Sequence, residues 1–391
     1  MTKKALSTED SLLEDIDLYH EFNSAFRGSG ALVLTSEPVV SERKLVEEAY
    51  LANKLYSPTF RYNEVAPLTH ECLIALSEKL EQSNSLPRLL LGNHIQDLIK
   101  YNDIMRLHDS TNIALYSKNK FGEVSPKLLK RAELILSETP LLLTESIDQG
   151  NTKSLDAVKL KELLQAVIKE FFPKNWGVEI LNSMHARLSV SPSRSTINLR
   201  SNLMISENEF FRLVVHEIGV HALRANNGFQ QPSPLWSIGM GPDHLMSEEG
   251  LAVWVENKLG LLDSGTKVKY ALRVIALSLA PHAGFAEIYR HLRNYVSPEE
   301  AYDITNRVKR GFCDTSQPGA YFKDKVYLEG FYQVEDYLTN DPTKIDILLA
   351  GKFSLSQLDL DNFPYSDIKP CSNALVRIEN ILHYARDLLN N

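Results

Sequence analysis

Cysteine is scarce in this chain: three residues in 391, Cys72, Cys313 and Cys371, with no C-x-x-C arrangement among them. That excludes a disulfide framework and fits a reducing compartment. No apolar run approaches the roughly eighteen residues that a membrane helix needs. Positive charge is also in short supply. A net charge of −8 argues against a general binder of nucleic acid or of an anionic membrane. The first ten residues turn acidic before any apolar segment, unlike a secretory leader, so the cytoplasm is the expected address. There is no internal repeat and no low-complexity tract. What remains, 43% hydrophobic and 24% charged residues, is the make-up of a soluble globular protein.

The chain reads as mainly helical. Ser7-x-x-Asp10 opens a helix to about Phe26, ended by Gly28-Ser29-Gly30. Further helices are expected at 41–55, 67–82, 87–107 and 125–137, with 109–123 irregular and 58–62 extended. Residues 142–154, largely polar and containing Gly150, are the best linker. This divides the chain into a helical N-terminal lobe, 1–150, and a second domain, 151–391. After a helix at 155–172 the pattern changes. Residues 177–181, 186–191 and 196–200 alternate apolar and polar, as in a small antiparallel sheet. Ser206-x-x-Glu209 then starts the next helix, and helices at 267–279, 297–311, 323–338, 342–350 and 372–389 complete the chain.

The helix after Ser206 is the unusual one. Phe210–Leu223 is apolar except for Arg212, His216, Glu217 and His221. Polar side chains in a run destined for the core are costly unless something satisfies them. A zinc ion could, since imidazole is a preferred zinc ligand. The zincin motif H-E-x-x-H places its histidines four residues apart on one helical face. Here the spacing is five, H-E-x-x-x-H, which puts the two roughly 140° apart on a regular helix. A π-bulge would restore a common face, and Gly219 would ease it, so a widened turn is expected at Ile218-Gly219-Val220. The plainer reading is a buried helix with two satisfied core histidines.

A third ligand would decide between them. Ser247 reads as the N-cap of a later helix carrying Glu248, Glu249 and Glu256. A glutamate on a second helix closes zinc sites of the His-His-Glu type, and Glu249 is the candidate. Glu248 would then favour the helix N-terminus, and Glu256 could orient a histidine.

His216-Glu217-x-x-x-His221, Asn227-Gly228-x-Gln230 and Glu248-Glu249-Gly250-Leu251-Ala252 resemble the microtubule-associated tyrosine carboxypeptidase family. Its bacterial branch is labelled flavohaemoglobin-expression-modulating QEGLA-motif proteins, and here Glu248 stands at the motif's Gln. The segment from Arg307 through Asp314-Thr315-Ser316-x-Pro318-Gly319 to Tyr327 is also similar. The resemblance implies an α+β, mainly helical fold with a zincin-like metallopeptidase core. It implies one Zn2+ per chain on His216, His221 and Glu249, with a fourth position left for water. Glu217 would act as general base. The substrate would be a peptide or protein C-terminus, the eukaryotic members removing a C-terminal tyrosine from tubulin. Such an enzyme must also hold a terminal carboxylate, for which Arg307, Arg310 and Lys323 are candidates. Tyr327 is a candidate donor to the oxyanion. Each of these four can equally be a surface ion pair or a core aromatic. A zinc hydrolase of a non-peptide amide, or a catalytically silent regulatory protein on the same fold, are the alternatives, and an intact Glu217 counts against the second.

Overall fold

The computed structural model describes residues 8–26, 36–37, 39–62, 67–107, 109–139, 154–173, 175–182 and 187–390. Its N-terminal part is helical: α1 (Thr8–Phe26), α2 (Val39–Leu51), α3 (Pro67–Leu80), α4 (Leu86–Arg106), α5 (Ser110–Phe121) and α6 (Pro126–Glu138). The strand pair β1 (Ser36–Glu37) and β2 (Arg61–Tyr62) accompanies them. The expected irregular stretch at 109–123 is instead α5. Asp109 caps it by accepting from the Thr111 backbone N–H at 2.8 Å, and Ile113, Ser117 and Phe121 form its buried face. The glycine-containing end of α1 at 28–30 and most of the linker at 142–154 fall outside the described residues.

The second part begins with β3 (Ser154–Asp156) and α7 (Ala157–Phe171), followed by β4 (Gly177–Leu181), β5 (Leu188–Ser191), β6 (Thr196–Arg200) and β7 (Met204–Ser206). The three alternating segments do form one sheet, in the order β4-β6-β5, but it is not antiparallel throughout. β5 and β6 are antiparallel, whereas β4 runs parallel to β6, Val178 opposite Ile197. The chain passes from β4 to the far edge at β5 and returns through the middle, so β6 runs alongside β4. Alternation marks a face and not a direction, which is why it missed this. The return is a tight turn over Pro192–Arg194 with Ser195 in the left-handed region at φ 47°. A separate antiparallel pair joins β3 to β7.

Ser206 starts the motif helix as expected, its hydroxyl accepting from the Glu209 N–H at 3.3 Å. That helix runs as α8 (Glu207–Leu213), a π-helical segment Val214–Ala222, and α9 (Leu223–Phe229). The remaining helices are α10 (His244–Lys258), α11 (Ser264–Leu279), α12 (Phe285–Leu292), α13 (Pro298–Val308), α14 (Val326–Asn340), α15 (Ile345–Leu348), α16 (Leu355–Leu358) and α17 (Ala374–Asn390). Ser297 caps α13 through the Glu300 N–H. α10 begins four residues earlier than a Ser247 N-cap implies; Ser247 is buried inside it and accepts from the Leu355 N–H at 2.9 Å. Tertiary bonding has overridden a local capping preference.

Two large apolar clusters run across residue 150. One joins Leu18, Leu73 and Leu91 to the motif helix and to α17. The other joins Val46, Phe60 and Tyr101 to α11, α12 and α13. A single helix crossing fixes the relation between the Glu249 and Tyr327 segments. α10 and α14 cross at Gly250 and Gly330, where backbone meets backbone: a Cβ at Gly250 would overlap the Gly330 backbone, and one at Gly330 would overlap the Met246 carbonyl. Only glycine permits so close an approach. It brings the helix bearing Glu249 against the helix bearing Tyr327.

Candidate metal centre

His216 and His221 share one face because the intervening turn is π-helical. The widened segment covers Val214–Ala222 and contains the expected Ile218-Gly219-Val220. Their rings stand edge to face with centroids 4.6 Å apart. Gly219 sits where α17 packs on the widened turn; a Cβ there would come within 2.8 Å of Ile378 Cγ2. Glu249, on α10, completes the group. Its Oε2 lies 3.4 Å from Nε2 of His216 and 3.7 Å from Nε2 of His221. One donor atom from each of the three lies within 4.8 Å of the others, and among the described residues no other set of histidine, cysteine and acid side chains does this.

The other imidazole nitrogens are occupied. His216 Nδ1–H donates to Glu256 at 2.6 Å, and His221 Nδ1–H donates to Glu248 at 2.8 Å. A carboxylate only accepts, so both rings are held in the tautomer that turns Nε2 toward Glu249. Each supporting acid has its own cation. Arg212 meets Glu256 at 3.2 Å. Lys352 meets Glu248 at 2.5 Å, and the fully buried Arg224 donates to the same carboxylate. Arg224 spends its remaining donors on the carbonyls of Leu348, Gly351 and Phe353. Among the described residues Glu249 has no such partner, only the two imidazoles.

The donor set therefore fits a divalent cation. Two neutral nitrogens and one carboxylate face a common centre, and each supporting acid is already paired with at least one cation. Without a cation the same groups trade protons. Burial opposes a charged His216, but hydrogen bonds to Glu249 and Glu256 outweigh it and raise the imidazole to about 10. Burial opposes a charged Glu249 too, yet the two histidines hold it well below the usual carboxylate range. Glu217 lies on the same turn, half-buried, and no hydrogen bond or ion pair holds it among the described residues.

The candidate substrate groups fall on both sides of one distinction. Arg307, at the end of α13, is committed: its guanidinium makes a two-point ion pair with the buried Asp324. Arg310, just past the helix, and Lys323, on the turn before α14, are half-buried, with no hydrogen bond or ion pair among the described residues. Burial and the neighbouring Arg310 push the Lys323 amine down, and Glu249 counters. Tyr327 is pushed up to about 12 by burial and then by the Glu249 charge, with Arg307 opposing. The Glu249 charge acts on Lys323, on Tyr327 and also on Arg307.

A model of the family described as microtubule-associated tyrosine carboxypeptidase matches residues 50–362. The chain belongs to that family. A human relative described as putative tyrosine carboxypeptidase MATCAP2 is 31% identical over 195 residues, which is 48% of this chain and 36% of the relative. The mouse microtubule-associated tyrosine carboxypeptidase 1 is 34% identical over 127 residues, 30% of this chain and 26% of the relative. The matched region thus spans about a third of the length of these relatives. The family motif read in the sequence, Glu248–Ala252, is the segment that supplies Glu249, the acid beside His221, and the glycine of the helix crossing.

Arg224, Lys352, Asp324 and Arg212 were not singled out from the sequence. Arg212 and Arg224 carried a signal: a lone cation in an apolar helical run needs a buried acid. Lys352 carried none, since its partner lies far away in the chain, and Asp324 stood out only as part of the family-like segment Lys323-Asp324-x-x-Tyr327. Asp324→Asn is expected to destabilise the protein by about 3 kcal/mol, as removal of one member of a buried ion pair does. Its carboxyl is held below the ordinary value by Arg307 and Arg273 despite burial, so its contribution is full above about pH 4 and fades as pH falls further. Urea unfolding of both proteins should show a constant gap from pH 5 to 9 that narrows in acid. A gap growing in acid contradicts the pairing.

Proposed function

We propose that the chain is a zinc-dependent carboxypeptidase with a zincin-like catalytic domain at 151–391 behind the helical lobe at 1–150, removing a C-terminal residue from a peptide or protein. The observation that carries this reading is the convergence of His216, His221 and Glu249 across a widened helical turn, with Glu217 unengaged beside them. When bound, zinc would supply Lewis acidity toward the scissile amide and the attacking water. The protein's own groups do the rest. Glu217 accepts a proton from the attacking water and delivers it to the leaving amine. Tyr327 donates its phenolic hydrogen to the oxygen that gains charge. Glu248 and Glu256 hold the imidazoles in register. β5, an edge strand packed against the motif helix, offers backbone for a substrate strand to pair with. Membership of a tyrosine carboxypeptidase family supports a carboxypeptidase and favours tyrosine as the residue removed.

Terminal-carboxylate recognition falls to Lys323 and Arg310, the two of these three candidates with no ion-pair partner among the described residues, with Arg307 held as a strut by Asp324. The test is a peptide ending in Glu-Tyr, offered as free acid and as C-terminal amide to the zinc-loaded protein. The expected outcome is release of tyrosine from the acid and little from the amide. Lys323→Met and Arg310→Met should each erode that preference about 10- to 100-fold, the value of a hydrogen bond to a charged group. A preference unchanged in both variants contradicts the assignment. No release from any free-acid peptide by zinc-loaded protein contradicts the carboxypeptidase reading itself.

A further inference from the structure

Tyr327 has no partner for its hydroxyl among the described residues, yet an oxyanion donor must be held in place. A tyrosine with a free hydroxyl is fixed only by what its ring touches. Two residues of α11 supply those contacts. The Tyr270 ring lies parallel to that of Tyr327, with centroids 5.1 Å apart and planes 6° apart. The Arg273 guanidinium lies 4.8 Å from the Tyr327 ring centroid and 5.3 Å from that of Tyr270. Arg273 is itself steered by Asp324, its Nε 3.9 Å from Oδ2, the same acid that carries Arg307.

We propose that Tyr270 and Arg273 are positioning residues that fix the Tyr327 ring from its two neighbours on α11 and leave its hydroxyl free for the reacting oxygen. This rests on the carboxypeptidase reading and assigns roles to residues that touch neither metal nor substrate. Three features separate the arrangement from ordinary core packing. Tyr270 is almost fully buried, whereas Tyr327 is only half-buried, so the stack has an anchored member and a member open to the site. The contacts to Tyr327 are made through its ring and leave its hydroxyl without a hydrogen-bond partner among the described residues. Lastly, α11 reaches both halves of the centre. Glu256, which supports His216, is close enough to raise the Tyr270 phenol after burial, and Arg273 is tied to Asp324 at the carboxylate side. One rigid helix thus references the candidate donor to both the metal support and the substrate cations.

The test compares Tyr270→Phe, Tyr270→Leu and Arg273→Met with Tyr327→Phe, each zinc-loaded and checked for a wild-type thermal transition. On the Glu-Tyr free-acid peptide, Tyr327→Phe is expected to lower kcat about 100-fold. Tyr270→Leu and Arg273→Met should lower kcat about 10-fold through misplacement of the donor, with KM and zinc content held. Tyr270→Phe keeps the ring and should restore kcat. In the Tyr327→Phe background, Tyr270→Leu should add no further loss. Equal losses in both backgrounds overturn the proposal, as does an unaffected kcat in Tyr270→Leu and Arg273→Met. A second readout is independent of turnover: 3-fluorotyrosine placed at position 327 should give one sharp fluorine resonance, broadened or split by Tyr270→Leu and by Arg273→Met. An unchanged resonance overturns the positioning role even if the peptide assay is silent, whereas a silent assay with the resonance behaving as expected sinks only the carboxypeptidase reading.

Discussion

Glu217→Gln is expected to lower peptide hydrolysis by about 10²- to 10⁴-fold while the protein keeps its metal and its melting temperature. Glutamine has nearly the same volume and cannot take a proton from water. The wild-type carboxylate is half-buried on the widened turn, held by no partner among the described residues, so nothing structural is lost when its charge goes. It is not one of the three converging donors, so metal content should not change. The two measurements together are diagnostic. Loss of metal with loss of activity would make Glu217 a ligand, and full activity would remove it from the chemistry. His216, His221 or Glu249 substitutions should behave differently, losing metal and turnover together.

Gly330→Ala carries the other large effect, and it acts through backbone. A methyl group at this position would overlap the Met246 carbonyl, and one at Gly250 would overlap the Gly330 backbone. Overpacking against movable side chains typically costs about 1–3 kcal/mol, and backbone offers less room to yield. Gly330→Ala is therefore expected to cost more than about 3 kcal/mol, or to separate α10 from α14 and lower activity with them. Gly260→Ala is the control. Gly260 has φ 70° with nothing within 4 Å of an added Cβ, so its replacement should cost only the backbone strain of about 1 kcal/mol. Chemical denaturation separates the two cases. Equal losses at Gly330 and Gly260 would mean that the crossing does not depend on close approach.

How much of this was legible in the sequence varied with the range of the interaction. The five-residue histidine spacing, impossible on a regular helix, forced the expectation of a π-bulge, and Gly219 marked its place; both are properties of one short segment. Glu249 was accessible because a family motif surrounds it. Glu256 orients His216, in keeping with its place on the helix, whereas Glu248 holds His221 and is more than an acid at a helix terminus. The start of α10 differs from the expectation because Ser247 has the right chemistry for a cap but its hydroxyl oxygen accepts from the Leu355 N–H. α5 was missed because its buried face includes Ser117, whose hydroxyl accepts from the Phe322 N–H, a polar contact that no apolar periodicity reveals. Strand direction was beyond reach, since parallel and antiparallel neighbours alternate alike. The separation of Arg307 from Arg310 and Lys323 needed coordinates as well. All three are cations in one family-like segment, and only the position of Asp324 shows which of them is already engaged.

The central claim is that three side chains, five residues and then a whole helix apart, form one binding centre for a divalent ion. The direct measurement is elemental analysis of purified protein after zinc loading and exhaustive dialysis, for the wild type and for His221→Ala and Glu249→Gln. About one zinc per wild-type chain, lost in both variants while the circular dichroism spectrum stays native, is the predicted result for a single three-ligand site. Wild-type protein without stoichiometric zinc, or variants that retain it in full, would contradict the account.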